Sequence, residues 1–169
     1  MKKHLTVFFF SLITLSAISQ QTDNKKFHHR NSFQIELGGH GLFYSLNYER
    51  ILVNGQNFKT NAQLGISYYP PSTGVRDVWM PIYINELYSF GNHHIEGGLG
   101  YVVIREAIRD TENNPEEWFW SGLFTGRIGY RFQKPDGRLI LRAGFTPFME
   151  HDIATEFHPS GGASIGYSF

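Results

Sequence analysis

The chain contains no cysteine, which excludes a disulfide framework, a thiolate metal site and a lipid-modified cysteine. It carries no charge excess: 15 Lys and Arg balance 15 Asp and Glu, so there is no electrostatic case for a nucleic-acid partner. Beyond its N-terminal stretch, no run comes near the roughly 18 consecutive apolar residues of a transmembrane helix. Helical spacing of apolar residues is also missing.

The single apolar run, Leu5 to Leu15, follows Lys2 and Lys3 and precedes the small-x-small triplet Ala17-Ile18-Ser19. A basic start, a short apolar core and a small-residue cleavage site make residues 1–19 a signal peptide, with the mature chain starting at Gln20. The run is too short for a membrane anchor, which needs about 20 apolar residues. Residues 20–31 (QQTDNKKFHHRN) are polar and read as a flexible leader in the periplasm, ahead of a barrel over 32–169.

Two things are plentiful. Aromatics make up 16% of the chain and glycine contributes 18 residues, yet mean hydropathy is only −0.30. That combination suits strands with one apolar and one polar face. Phe33, Ile35 and Leu37 alternate with Gln34, Glu36 and Gly38; Leu42 to Tyr48 and Phe58 to Tyr68 repeat the pattern. So do the segments from His94, from Trp118 to Phe132, from Leu139 to Thr146 and from Ala163 to Phe169. Val78 to Tyr88 is apolar on both parities, so its faces stay unassigned, and Pro81 inside it predicts a bulge or a protected edge. Period two over eight segments is a β architecture.

Connector lengths add a layout. Those around Asn54-Gly55, around Gly91-Asn92 and from Lys134 to Gly137 are short, whereas Pro70 to Asp77, Arg105 to Glu117 and Met149 to His158 are longer. Only Gly38 to Gly41 is short on the long side. Short turns at one end and long loops at the other describe an all-β, antiparallel, up-and-down transmembrane barrel of about eight strands. A soluble barrel would turn its polar face to water and crowd it with Lys, Glu and Asp. Here that face is mostly Gly, Ser, Thr, Asn and Gln, which suits a narrow lumen, and the apolar face carries Tyr48, Tyr68, Trp118, Trp120, Tyr130 and Phe132 towards strand ends, where interfacial girdles belong.

The ending GGASIGYSF, with Ile165, Tyr167 and Phe169 on one parity, resembles the C-terminal insertion signal of bacterial outer-membrane barrels. The plan from Phe33 to Phe169 is similar to the small eight-stranded barrels of the OmpA, OmpX and PagP kind. The stretches SLNYER (45–50), GRIGYRF (126–132) and RAGFTPF (142–148) resemble small barrels of this class. The resemblance implies a Gram-negative outer membrane, both termini in the periplasm, and a terminal aromatic read by the barrel-assembly machinery. It implies outer-membrane lipid as surroundings and a monomer, and it transfers no activity.

The lumen-facing parity holds Glu36, Glu49, Glu96, Arg127, Arg131 and Arg142, and enclosed charges of both signs should pair. A pore tuned by rings of charge is the sharper alternative. Glu156, His158 and Ser160 offer a second alternative, because the His-x-Ser spacing resembles that of outer-membrane lipid A deacylases. The tandem pairs His28-His29 (leader) and His93-His94 (read as a turn) point apart at adjacent positions, and no set has metal-ligand spacing, so no metal and no cofactor are expected. The charged connector 105–117 is the candidate contact for an external partner. The expected function is non-enzymatic (structural, adhesive or surface-protective) with a closed, salt-bridged lumen; a lipid A-modifying enzyme and a small-solute pore are the alternatives.

Overall fold

Alternating segments of this kind can bury one face only by curling the sheet on itself, and the computed structural model shows that closure. It describes residues 25–69, 77–108, 117–151 and 155–169; the region read as a signal peptide lies outside them. The strands are β1 (Asn31–Gly38), β2 (Tyr44–Asn54), β3 (Phe58–Tyr69), β4 (Asp77–Phe90), β5 (His93–Ile108), β6 (Glu117–Gln133), β7 (Leu139–Phe145), β8 (Phe148–His151), β9 (Thr155–His158) and β10 (Gly161–Ser168). Each pairs antiparallel with its neighbours, and β1 against β10 closes the ring. Closure pairs every stave of the ring on both sides, as a membrane-spanning sheet requires, and of the described strands only β9, beyond the end of β1, is paired on one side alone.

Ten strands make eight staves. Ile128 pairs with Phe145 of β7 and Phe124 with Met149 of β8, so the register along β6 runs unshifted past Thr146-Pro147. On the other side, Phe145 pairs with Gly161 and Phe148 with His158, again without a shift. That register sets Pro147 opposite Pro159, two residues with no N–H to give to the ladder. The rung beside them is intact: the Thr146 amide donates to the Ser160 carbonyl at 2.8 Å.

Burial is inside out. Large apolar side chains such as Phe33, Ile35, Leu46, Ile128 and Ile165 face outward, whereas most of the buried side chains are polar or charged. A water-soluble barrel would reverse this, so the outer face is built for hydrocarbon.

Several segments differ from their sequence reading. At Pro81 there is neither a bulge nor an edge: β4 is paired on both sides, and Leu64–Ile82 and Ser67–Trp79 share one register. The proline ring is accommodated because Gly65 lies across from it; a Cβ on Gly65 would come within 2.7 Å of the ring. The faces of this strand resolve as Tyr83, Asn85, Leu87 and Ser89 inward, with Ile82, Ile84 and Tyr88 outward. A bulge does occur in β2, where the register against β3 shifts between Ile51 and Val53. The connectors read as 105–117 and 149–158 are strand at their ends, since Ile108 pairs with Glu117 and the β8–β9 hairpin fills most of the second. His93 and His94 open β5 and do not form a turn.

The stretch read as a flexible leader is fixed where it is described. Phe27 is buried against Ile51 and Leu87. Its backbone is held by Asn54, whose Oδ1 accepts from the Phe27 amide at 3.0 Å and whose Nδ2 donates to the Phe27 carbonyl at 2.8 Å. Next to it, the His28 amide donates to the Pro135 carbonyl at 2.9 Å. Phe27 therefore stoppers the short-turn end of the barrel.

Candidate functional site

The lumen holds the chemistry, and its residues arrive from the inward parity of every stave. Three acids and three bases from that parity are brought together. Arg127 Nη1 donates to Glu36 Oε1 at 2.7 Å, and its Nε lies 3.6 Å from Glu96. Arg131 Nη1 lies 2.8 Å from Glu49 Oε1. Arg142 grips Glu96 through two nitrogens, its Nε donating at 2.9 Å, and also lies 3.6 Å from Glu49. All six side chains are buried. Arg127 and Arg142 share Glu96, and Arg131 and Arg142 share Glu49, so the pairs are linked into one network.

Neutral groups complete it. Gln34 and Gln63 accept from Arg142 Nη1 at 2.7 and 2.8 Å, and Gln133 accepts from Arg131 Nε at 2.9 Å. A guanidinium has five donors, and burial is tolerable only when most of them find acceptors. These glutamines were visible as polar residues of the inward parity, but amides do not announce themselves as partners of a charge.

At the long-loop end the first connector folds into the barrel mouth. Gly39–Gly41 forms a single 3₁₀ turn and carries His40 inward, where its ring stacks on Tyr83 at 3.6 Å and its Nδ1 lies 3.3 Å from Glu36. Burial holds the His40 imidazole below its ordinary range, against the opposite pull of Glu36. Glycine is needed at two points here. Gly39 has φ +62°, and a Cβ on it would meet the Glu36 carboxyl at 2.7 Å; a Cβ on Gly162 would meet the Gly39 amide nitrogen at 2.6 Å. The connector that broke the short-long rule is thus a cap on the network. Nothing periodic marks it in the sequence.

At the short-turn end Lys59 is fully buried and donates to the Gln56 carbonyl at 2.7 Å and to Ser89 Oγ at 2.8 Å. Phe27 lies over it, with the ammonium 4.9 Å from the ring centroid, while Arg131 approaches the same ring at 5.6 Å and His94 meets it edge-on at 5.1 Å. Lys59 stands on the inward parity, beside Asn61 and Gln63, so its facing was legible. The aromatic above it was not.

The other singled-out residues do not join this site. His158 is exposed on β9, Ser160 is half-buried between β9 and β10, and Glu156 pairs with Glu150 in the ladder. Ile165, Tyr167 and Phe169 face outward, and Phe169 exchanges backbone hydrogen bonds with Asn31 at 2.8 and 3.2 Å, closing the seam between the first and last staves. Of the connector at 105–117, residues 109–116 lie outside the described residues; at its base Arg105 sits 4.3 Å over the Trp118 ring. Among the described residues no group of three His, Asp or Glu is placed to hold a metal ion.

No protein-family model matches the sequence, and no curated protein matches it. Solved structures do. The N-terminal β-barrel domain of Pseudomonas aeruginosa OprF aligns at TM-score 0.57 and 11% identity, covering 84% of this chain and 100% of that domain. Neisserial surface protein A aligns at 0.48 and 12% identity (82% and 93% covered), and Ail, the attachment invasion locus protein of Yersinia pestis, at 0.48 and 9% (83% and 99% covered). With its closed ring, outward apolar face and charged lumen, the chain has the fold of the small eight-stranded outer-membrane barrels.

Proposed function

We propose that this protein is a non-enzymatic barrel of the outer membrane, with a structural, adhesive or surface-protective role and a lumen that does not conduct. The observation that carries the reading is the buried network of Glu36, Glu49, Glu96, Arg127, Arg131 and Arg142, which links β1, β2, β5, β6 and β7 through the lumen. Eight staves leave room for side chains and little else. Here that room is taken by paired charge, with His40 above and Phe27 below. A conducting path would need these pairs to part, and separating buried ion pairs costs about 3–5 kcal/mol for each partner lost.

Planar-bilayer recording tests it. The purified barrel is expected to give no unitary current steps in symmetric salt. Steady conductance from the folded wild type would support the small-solute pore instead. Incubation with lipopolysaccharide tests the enzymatic alternative at Glu156, His158 and Ser160; acyl chains released by the wild type and not by His158→Ala would establish it.

A further inference from the structure

The outer surface divides by charge at its short-turn end. Lys25, Lys26, Arg30, Arg50, Lys134 and Arg138 are all exposed there, against Asp136 and, further round on β4, Glu86. Two of these cations reach the apolar face. Arg138 Nη1 donates to the Tyr167 hydroxyl at 2.6 Å and its guanidinium lies 5.4 Å from that ring. Arg50 Nη1 reaches Asn31 Oδ1 at 3.5 Å, an oxygen that also accepts from the Tyr48 hydroxyl at 2.8 Å.

Below these guanidiniums runs a groove of about 770 Å³ with almost wholly apolar walls. Tyr167, Phe33 and Tyr48 pair across three staves to make one wall, and Ile165, Ile35 and Leu46 make the other. Gly166 and Gly65 lie along its floor. Arg138 and Arg50 are three staves apart, about 14 Å at the spacing of paired strands. Arg138 leans onto Tyr167 of β10 and Arg50 onto Asn31 of the adjacent β1, so a single headgroup between them can meet both.

We infer that this groove and its two guanidiniums form a binding site for an anionic phospholipid, with acyl chains along the apolar walls and the phosphate between Arg50 and Arg138. Guanidinium forks match phosphate oxygens, and basic pockets at a membrane surface select anionic headgroups. The short-turn end is the periplasmic end of this layout, so the ligand belongs to the phospholipid leaflet and not to the lipopolysaccharide one. The inference rests on the membrane barrel and not on what the lumen conducts; a current in the bilayer test would leave it untouched.

Native mass spectrometry of the detergent-purified barrel tests it, with phosphatidylglycerol and phosphatidylcholine of identical chains as probes. Wild type should retain one phosphatidylglycerol in preference to phosphatidylcholine. Arg50→Gln with Arg138→Gln should lose that preference, by about five-fold per guanidinium if each contact has the usual strength of a basic residue at a lipid surface. Lys25→Gln with Lys26→Gln and Lys134→Gln should keep most of it. Soluble glycerol phosphate should not compete, because it has no chains for the groove. An equal preference in the double Gln variant overturns the site, as does its loss when Lys25, Lys26 and Lys134 are the residues changed, or full competition by glycerol phosphate. Heat-modifiable gel mobility confirms that each variant is folded, because all five side chains are exposed.

Discussion

Arg142 and Glu96, which enter the lumen from β7 and β5, meet through two guanidinium nitrogens, and the same arginine is held by Gln34 and Gln63. Replacing Arg142 with Ala strands a buried carboxylate, at a cost of about 3–5 kcal/mol. Removing Glu96 as well should cost less than the two single changes together, because the second change removes the charge the first left alone. Urea unfolding in lipid vesicles reads all three variants. Additive losses would show that Arg142 draws its stability from the glutamines and from Glu49.

Phe27 fills the short-turn mouth over Lys59. Phe27→Ala should cost about 2–4 kcal/mol, combining the burial of an aromatic ring with two cation–π contacts. Its second signature is chemical. Lys59 is buried in the wild type and should become modifiable by a water-soluble amine reagent once the ring is gone, as seen by peptide mass mapping. Equal labelling of Lys59 in both proteins would deny Phe27 its role as a stopper.

Phe169 is 44% exposed, and its ring stacks on Phe33 with centroids 5.5 Å apart. Its backbone seals the first stave to the last. If the terminal aromatic is read during insertion, deleting it should leave processed but unassembled protein in the periplasm, while the same variant still refolds from urea into detergent. The comparison is between the outer-membrane fraction in cells and the folded fraction in detergent. Equal losses in the two would reduce Phe169 to its seam hydrogen bonds and packing.

Epitope tags test orientation. Tags at Thr73 and Asn113 should be labelled on intact cells, and one at Asp136, in the short turn between β6 and β7, should not. Labelling at Asp136 alone would invert the barrel.

Most of the fold was legible because a sheet with one face in hydrocarbon must alternate, and alternation survives in the sequence of nearly every stave. The six charged residues of the network were legible as charges on the inward parity, and their particular pairing was not. Val78 to Tyr88 could not be read because Tyr83 and Leu87 face the lumen, where a polar residue was expected; Tyr83 stacks on His40 and Leu87 packs on Phe27. His40 and Phe27 themselves lie outside any periodic segment. Their positions are set by tertiary closure of the two ends, and no local pattern encodes that. Arg50 and Arg138 were equally silent, because an exposed cation near a strand end looks like any solvated one until the groove beside it is seen.

The facing prolines, Pro147 and Pro159, have a mechanical consequence. Neither carries an N–H, so towards β6 the rung at Pro147 is reduced to one bond, the Gly126 amide donating to the Pro147 carbonyl at 3.2 Å, while the Thr146–Ser160 rung beside it stays intact. That makes the β8–β9 hairpin a separately opening unit, in which amide hydrogens of β8 and β9 exchange with solvent faster than those of β7 and β10, and protection steps sharply at the proline rung. The long-loop end can then reshape around whatever it touches, or be clipped by a protease, while the closed ring below keeps its register.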